Sequence, residues 1–133
     1  MRALYIDDDK ILLELISISF EMDLDAAVRV TSDANEAIRL VHDEEFHVIL
    51  LDAVMPGVCA VEFIAKINAA TESPPPIVYI TGLALEHQRA SLMETGAAGV
   101  ITKPFDPFQL PRRVRELIEA AVGDDAQDAV RAA

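Results

Sequence analysis

Leu4-Tyr5-Ile6-Asp7-Asp8-Asp9 is an apolar run that ends in three acids. The same punctuation recurs along the chain. Val48-Ile49-Leu50-Leu51 runs into Asp52, Ile77-Val78-Tyr79-Ile80 into Thr81, and Gly99-Val100-Ile101 into Thr102-Lys103-Pro104. Ala27-Val28-Arg29-Val30 is a further run. Short apolar runs separated by helical patterns read as parallel strands covered on both faces. In an open parallel sheet, ligands bind just beyond the carboxyl ends of the strands. If these runs are neighbouring strands, three carboxylates, a hydroxyl and an ammonium converge at one edge. That combination is a magnesium and phosphoryl site.

Helical patterns fill the intervals. Asp9 to Met22 is apolar at helical spacing. Ser32 or Asp33 can cap a helix through about His42, with Glu36 placed as in a capping box. Met55-Pro56-Gly57 is a turn and Val61 to Ala69 is helical. Ser73-Pro74-Pro75-Pro76 is a stiff, extended loop, because proline fixes φ and removes a donor. A fourth helix runs from about Leu85 to Glu94 and stops at Gly96. Asp106-Pro107 opens the last helix, with Pro at the favoured first position. Pro111 predicts an irregular start or a restart there. The expected fold is a five-stranded doubly wound α/β domain with a parallel sheet. It spans residues 1–122, and Gly123 to Ala133, rich in Ala and Asp, reads as a tail or the start of a linker.

Composition narrows the function classes. The chain has 133 residues, enough for one ordinary domain core. Hydrophobic residues make up 52% and mean hydropathy is +0.27, which argues against a disordered body. A net charge of −12 and a pI near 4.4 argue against direct nucleic-acid binding, which needs a basic surface. No apolar stretch reaches membrane-span length, and Arg2 leads straight into a strand, so neither a membrane anchor nor a signal peptide is expected. The single Cys59 cannot form an internal disulfide, and a cytoplasmic setting is expected.

Four motifs together resemble the receiver domain of bacterial two-component response regulators, of the single-domain, chemotaxis-regulator-like kind. They are Leu4-Tyr5-Ile6-Asp7-Asp8-Asp9, Asp52-Ala53-Val54-Met55-Pro56-Gly57, Tyr79-Ile80-Thr81-Gly82 and Ile101-Thr102-Lys103-Pro104-Phe105. Each is weak alone; their order and spacing make the resemblance specific from about Arg2 to Val122. It implies a flavodoxin-like sheet of order 2-1-3-4-5 with five helices. It also implies an aspartyl-phosphate switch fed by a histidine kinase or a histidine phosphotransfer protein, with an output protein downstream. Any enzymatic activity would be limited to self-phosphorylation and self-dephosphorylation.

The resemblance assigns roles residue by residue. Asp52 is the phosphoacceptor: a carboxylate can attack phosphorus when developing charge is neutralised. Asp7 and Asp8 are the metal acids, Asp8 direct and Asp7 partly through water, and the Val54 backbone carbonyl adds a ligand. Mutually repelling acids call for a hard cation, and Mg2+ is the natural one. Asp9 reads as a helix N-cap. Thr81 donates to a phosphoryl oxygen. Lys103 supplies positive charge, and a cis bond to Pro104 is usual at this place in the family. Ordinary surface or core roles are expected for His42, His47 and His87, which lack metal-ligand spacing. Cys59 is expected to be a simple buried or loop thiol, and Tyr79 a core residue.

The chain departs from the family pattern in three places. Val100 stands where the family usually has an aromatic that swings inward as the threonine moves, so an atypical or small conformational response is expected. Cys59-Ala60 replaces the usual Asp-Gly. Val54 and Leu83 are apolar at the mouth of the site and are expected to limit attacking water. On a helical projection of the first helix, Leu12, Leu15, Ile16 and Phe20 suffice for the core. Ile11, Ile18 and Met22 then share an adjacent face, which is expected to dock the phosphodonor. The alternatives for that face are a wider core or a homodimer contact. Other readings of the whole chain are a phosphorylation-independent module of receiver fold and a receiver domain cut from a longer regulator. An aspartyl phosphatase usually needs a second acid where Val54 stands. Flavin binding is disfavoured, since Asp7-Asp8-Asp9 would repel the flavin phosphate.

Overall fold

The computed structural model describes residues 1–82 and 86–120. In chain order these form β1 (Arg2–Ile6), α1 (Lys10–Glu21), β2 (Ala27–Thr31), α2 (Ala34–Asp43) and β3 (Val48–Asp52). They continue with α3 (Ala60–Ala70), β4 (Ile77–Thr81), α4 (Glu86–Met93) and β5 (Gly99–Thr102). A 3-10 turn, Pro107–Gln109, passes into α5, helical over 110–120. The strands form one parallel sheet in the order β2-β1-β3-β4-β5. This is the flavodoxin-like arrangement expected. From β1 the chain steps out to β2 at one edge and then crosses back over β1 to β3, so the winding direction reverses between β1 and β3 and their carboxyl ends lie adjacent at a switch point.

Every residue of β3 and β4 is buried, as befits central strands covered on both faces. β2, at one edge, alternates between exposed and partly buried positions until Thr31. Alternation along the strands divides the core into two layers. Ala3, Tyr5, Val48, Leu50, Val78, Ile80 and Ile101 face Leu13, Ile16 and Phe20 of α1 and Leu110 and Val114 of α5. Leu4, Ile6, Ile49, Leu51, Ile77 and Tyr79 face Ala37 and Val41 of α2 and Phe63 and Ile67 of α3. Gly99 in β5 admits α5: a Cβ there would stand 3.1 Å from the Leu117 methyls.

Local signals act as expected at most helix ends. The Asp9 carboxylate accepts from the N–H groups of Ile11 and Leu12 and caps α1. Asp33, rather than Ser32, caps α2 and accepts from Asn35 N–H. Gly96 takes a left-handed φ of +88° after α4, the conformation glycine adopts without steric cost. Asp106 accepts from Phe108 N–H and Pro107 starts the 3-10 turn, so the irregular start expected near Pro111 is real.

One expectation is corrected. The helical projection puts Leu15 in the core, but it is 38% exposed, and Leu13 is buried instead. The buried stripe is Leu13, Ile16, Ser19 and Phe20, with the Ser19 hydroxyl satisfied by donating to the Ile16 carbonyl at 2.9 Å. Leu83, the Leu85 start of α4 and the stretch from Gly123 to Ala133 lie outside the described residues. Among the described residues no helix is long and apolar enough to cross a membrane.

Candidate functional site

The strand register sets the site. Ile6 pairs with Leu51 and Asp52 with Ile80, so β1, β3 and β4 end nearly level. Asp7 and Asp8 therefore meet Asp52, and one carboxylate oxygen from each lies within 4.8 Å of the others. Asp7 is fully buried, Asp52 nearly so and Asp8 exposed. The acids thus form a cup that is closed below and open above. Hard oxygen donors at this spacing fit a small divalent cation that keeps some of its own waters.

Lys103 follows β5 and reaches across the sheet edge. Its Nζ lies 2.8 Å from Asp7 Oδ2 and 3.6 Å from Asp52 Oδ2. Its backbone N–H donates to the Thr81 carbonyl at 2.7 Å, tying the ends of β4 and β5 together. The Lys103–Pro104 bond is cis, as the family pattern implies. Thr81 is fully buried at the end of β4, at the same edge of the sheet. Val54 N–H donates to Asp52 Oδ1 at 3.1 Å, while the Val54 side chain stands 61% exposed beside the site.

The charges respond to this crowding. Burial, with the nearby Asp7 carboxylate, pushes the Asp52 carboxyl from its ordinary 3.8 up to about 6, against the opposing pull of Val54 N–H and Lys103. Burial also pushes Asp7 upward, but Lys103 and the Asp9 N–H outweigh it and hold Asp7 below its ordinary value. Burial alone would lower Lys103, and the hydrogen bond and charge of Asp7 override it, so the ammonium is held more firmly than usual. Asp52 is thus a carboxylate short of positive charge, and Asp7 is well supplied with donors.

Reading the sequence missed one member of this network. The Tyr5 hydroxyl donates to Asp7 Oδ2 at 3.1 Å. Tyr5 sits in an apolar run and reads as core, yet residues two apart on a strand share a face. That spacing was the available signal. Tyr79 is core as expected, with its hydroxyl within 3.0 Å of Thr95 Oγ1 after α4. It lies opposite Val100, which is only partly buried.

His42, His47 and Cys59 stay outside the site, and the His87 side chain is not among those described. His47 Nδ1 accepts from Arg2 N–H, and His42 lies beside Asp43 on the surface. Cys59 is exposed at the start of α3 and makes no capping bond. Ile11, Ile18 and Met22 are exposed by 74%, 47% and 70%, so they are not part of a wider core. Met22, Leu24 and Phe108 line one open depression between the end of α1 and the start of α5.

Comparison with known proteins agrees with this fold. The chain is 32% identical, over 98% of its length, to a protein-glutamate methylesterase/protein-glutamine glutaminase 2 of Rhodopseudomonas palustris, of which it spans 36%. A CheY-like receiver domain protein of Methanospirillum hungatei superposes with a TM-score of 0.76 at 23% identity, covering 92% of this chain and 97% of that one. The non-phosphorylated HemR receiver domain of Leptospira biflexa gives a TM-score of 0.73 at 26% identity, covering 88% and 93%. The sequence model of the response regulator receiver domain matches residues 3–115, and this chain belongs to that family of two-component signal-transduction proteins.

Proposed function

We propose that the chain is a phosphoacceptor that takes a phosphoryl group on Asp52 from a phosphohistidine donor and, in that state, regulates a partner protein. The observation that carries this reading is the meeting of Asp7, Asp8 and Asp52 within 4.8 Å, with Lys103 Nζ bridging Asp7 and Asp52. An Asp52 carboxylate oxygen attacks phosphorus as the phosphorus–nitrogen bond breaks, and the histidine nitrogen keeps the electron pair. Positioning and neutralised charge are what such a transfer needs from a protein. Lys103 offers its ammonium to the phosphoryl oxygens, and Thr81 donates to another of them.

Mg2+ would be held by Asp8, Asp52, the Val54 carbonyl and, partly through water, Asp7; it supplies neutralisation of the charge on the transferring group. The fit rests on the donor set: Asp7 and Asp8 beside the Asp52 carboxylate, which burial and repulsion leave short of positive charge. Val54, exposed at the mouth, is an apolar neighbour that limits attacking water.

The phosphodonor docks on α1. That helix begins at the acidic site, and Ile11, Ile18 and Met22 are solvent-facing along it, joined by Leu15. Each fully buried aliphatic side chain is worth about 1.5–3 kcal/mol before association costs are subtracted. A helical donor covering this face brings its histidine over Asp52. With Mg2+ and a small-molecule phosphodonor, the chain should gain an acyl phosphate that hydroxylamine removes. Ile18→Glu should leave that reaction intact and slow transfer from the cognate kinase. A chain that gains no acyl phosphate would contradict the phosphoacceptor reading. Unchanged kinase transfer in Ile18→Glu would remove α1 as the docking face.

A further inference from the structure

Tyr5 and Asp7 are both fully buried, two residues apart at the end of β1. Asp7 Oδ1 accepts from Asp9 N–H at 3.0 Å. Asp7 Oδ2 has two donors, Lys103 Nζ at 2.8 Å and the Tyr5 hydroxyl at 3.1 Å. In this state the lysine sits closer to Asp7 than to Asp52. A phosphoryl group on Asp52 would add negative charge within reach of the ammonium and favour its shift from Asp7 toward Asp52. The oxygen left behind is buried, and a buried carboxylate oxygen without a donor is costly.

We propose that Tyr5 is a positioning residue of the phosphoacceptor site: its hydroxyl holds Asp7 Oδ2 when Lys103 moves to the phosphoryl group. Lys103 and Tyr5 both donate to this oxygen in the resting state, and Tyr5 is the side-chain donor that stays when the lysine moves. The Tyr5 bond is therefore stronger in the phosphorylated state, and only such a difference favours that state. Tyr5 also keeps the Asp7 carboxylate from rotating when the lysine leaves. Phenylalanine at this position would fill the same core space and lose only the hydroxyl.

Tyr5 has this role only if Asp52 is the phosphoacceptor, and one experiment separates the two. Beryllofluoride, a phosphoryl mimic, is titrated at saturating Mg2+ and followed by fluorine NMR, with the melting temperature measured in metal-free buffer. The proteins are wild type, Tyr5→Phe and Tyr79→Phe. Tyr79 is an equally buried tyrosine whose hydroxyl bonds Thr95, away from the acids. The expected result is that Tyr5→Phe binds beryllofluoride about tenfold more weakly, as loss of a hydrogen bond to a charged group implies. Tyr79→Phe should bind like wild type, although both variants lose a buried hydroxyl bond and melt at similar temperatures. Wild-type affinity in Tyr5→Phe, or equal weakening in Tyr79→Phe, would overturn the role of Tyr5. Failure of the wild type itself to bind would instead overturn the phosphoacceptor reading on which it rests.

Discussion

Asp52→Asn should make the metal-free protein more stable near neutral pH. The substitution keeps the shape of the side chain and an oxygen for Val54 N–H, but removes the charge. In the folded protein the Asp52 carboxyl titrates near about 6 rather than 3.8, because burial and Asp7 disfavour its ionised form. The folded state therefore binds the proton more tightly than the unfolded state. Its contribution to stability is fully present below pH 3.8 and is lost as pH rises to about 6. That rise, net of the offset from Lys103, corresponds to roughly 3 kcal/mol of strain in the ionised protein. Urea denaturation in EDTA should show Asp52→Asn more stable than wild type at about pH 8, by up to roughly 3 kcal/mol. The gap should shrink toward pH 4, and Mg2+ should stabilise wild type more than the variant. A variant that is no more stable at pH 8, or a gap that ignores pH, would refute the claim that burial and the Asp7 carboxylate disfavour a charged Asp52.

Mg2+ should raise the melting temperature of the wild type, because it binds only the folded arrangement of acids. The rise should shrink strongly in Asp8→Asn when followed by thermal denaturation. Lys103→Ala should slow phosphorylation by a small-molecule donor on the order of 10²-fold, the usual effect of removing a donor that faces developing charge. Lys103→Arg should be impaired less, since it keeps the charge with a different reach. Val100 should make the response of α4 and β5 to beryllofluoride small, read as little change in amide exchange there. A large response would mean that the missing aromatic does not matter here.

Much of the architecture was legible because the strands are short, apolar and end in acids or hydroxyls. Burial on both faces forces that pattern, and the parallel register then brings Asp7, Asp8 and Asp52 together with Lys103. Asp9, Asp33 and Gly96 act at the helix ends as their side chains dictate. α1 was harder to place. Its sequence is apolar on most sides, so the projection does not fix which stripe meets the sheet, and Leu13 rather than Leu15 turned inward. The tie from Tyr5 to Asp7 depends on where a hydroxyl points at the end of a buried ring. Composition and spacing do not carry that direction. Asp23 and Arg115, an ion pair at 2.8 Å between the end of α1 and α5, lie 92 positions apart and left no local signal.

The most direct test of the central claim is to locate the phosphoryl group. The protein is incubated with a small-molecule phosphodonor and Mg2+, and the adduct is mapped by mass spectrometry after trapping of the acyl phosphate. A single modified residue, Asp52, is predicted, with no label in Asp52→Asn. Label that persists in Asp52→Asn, or maps to another side chain, would contradict the account.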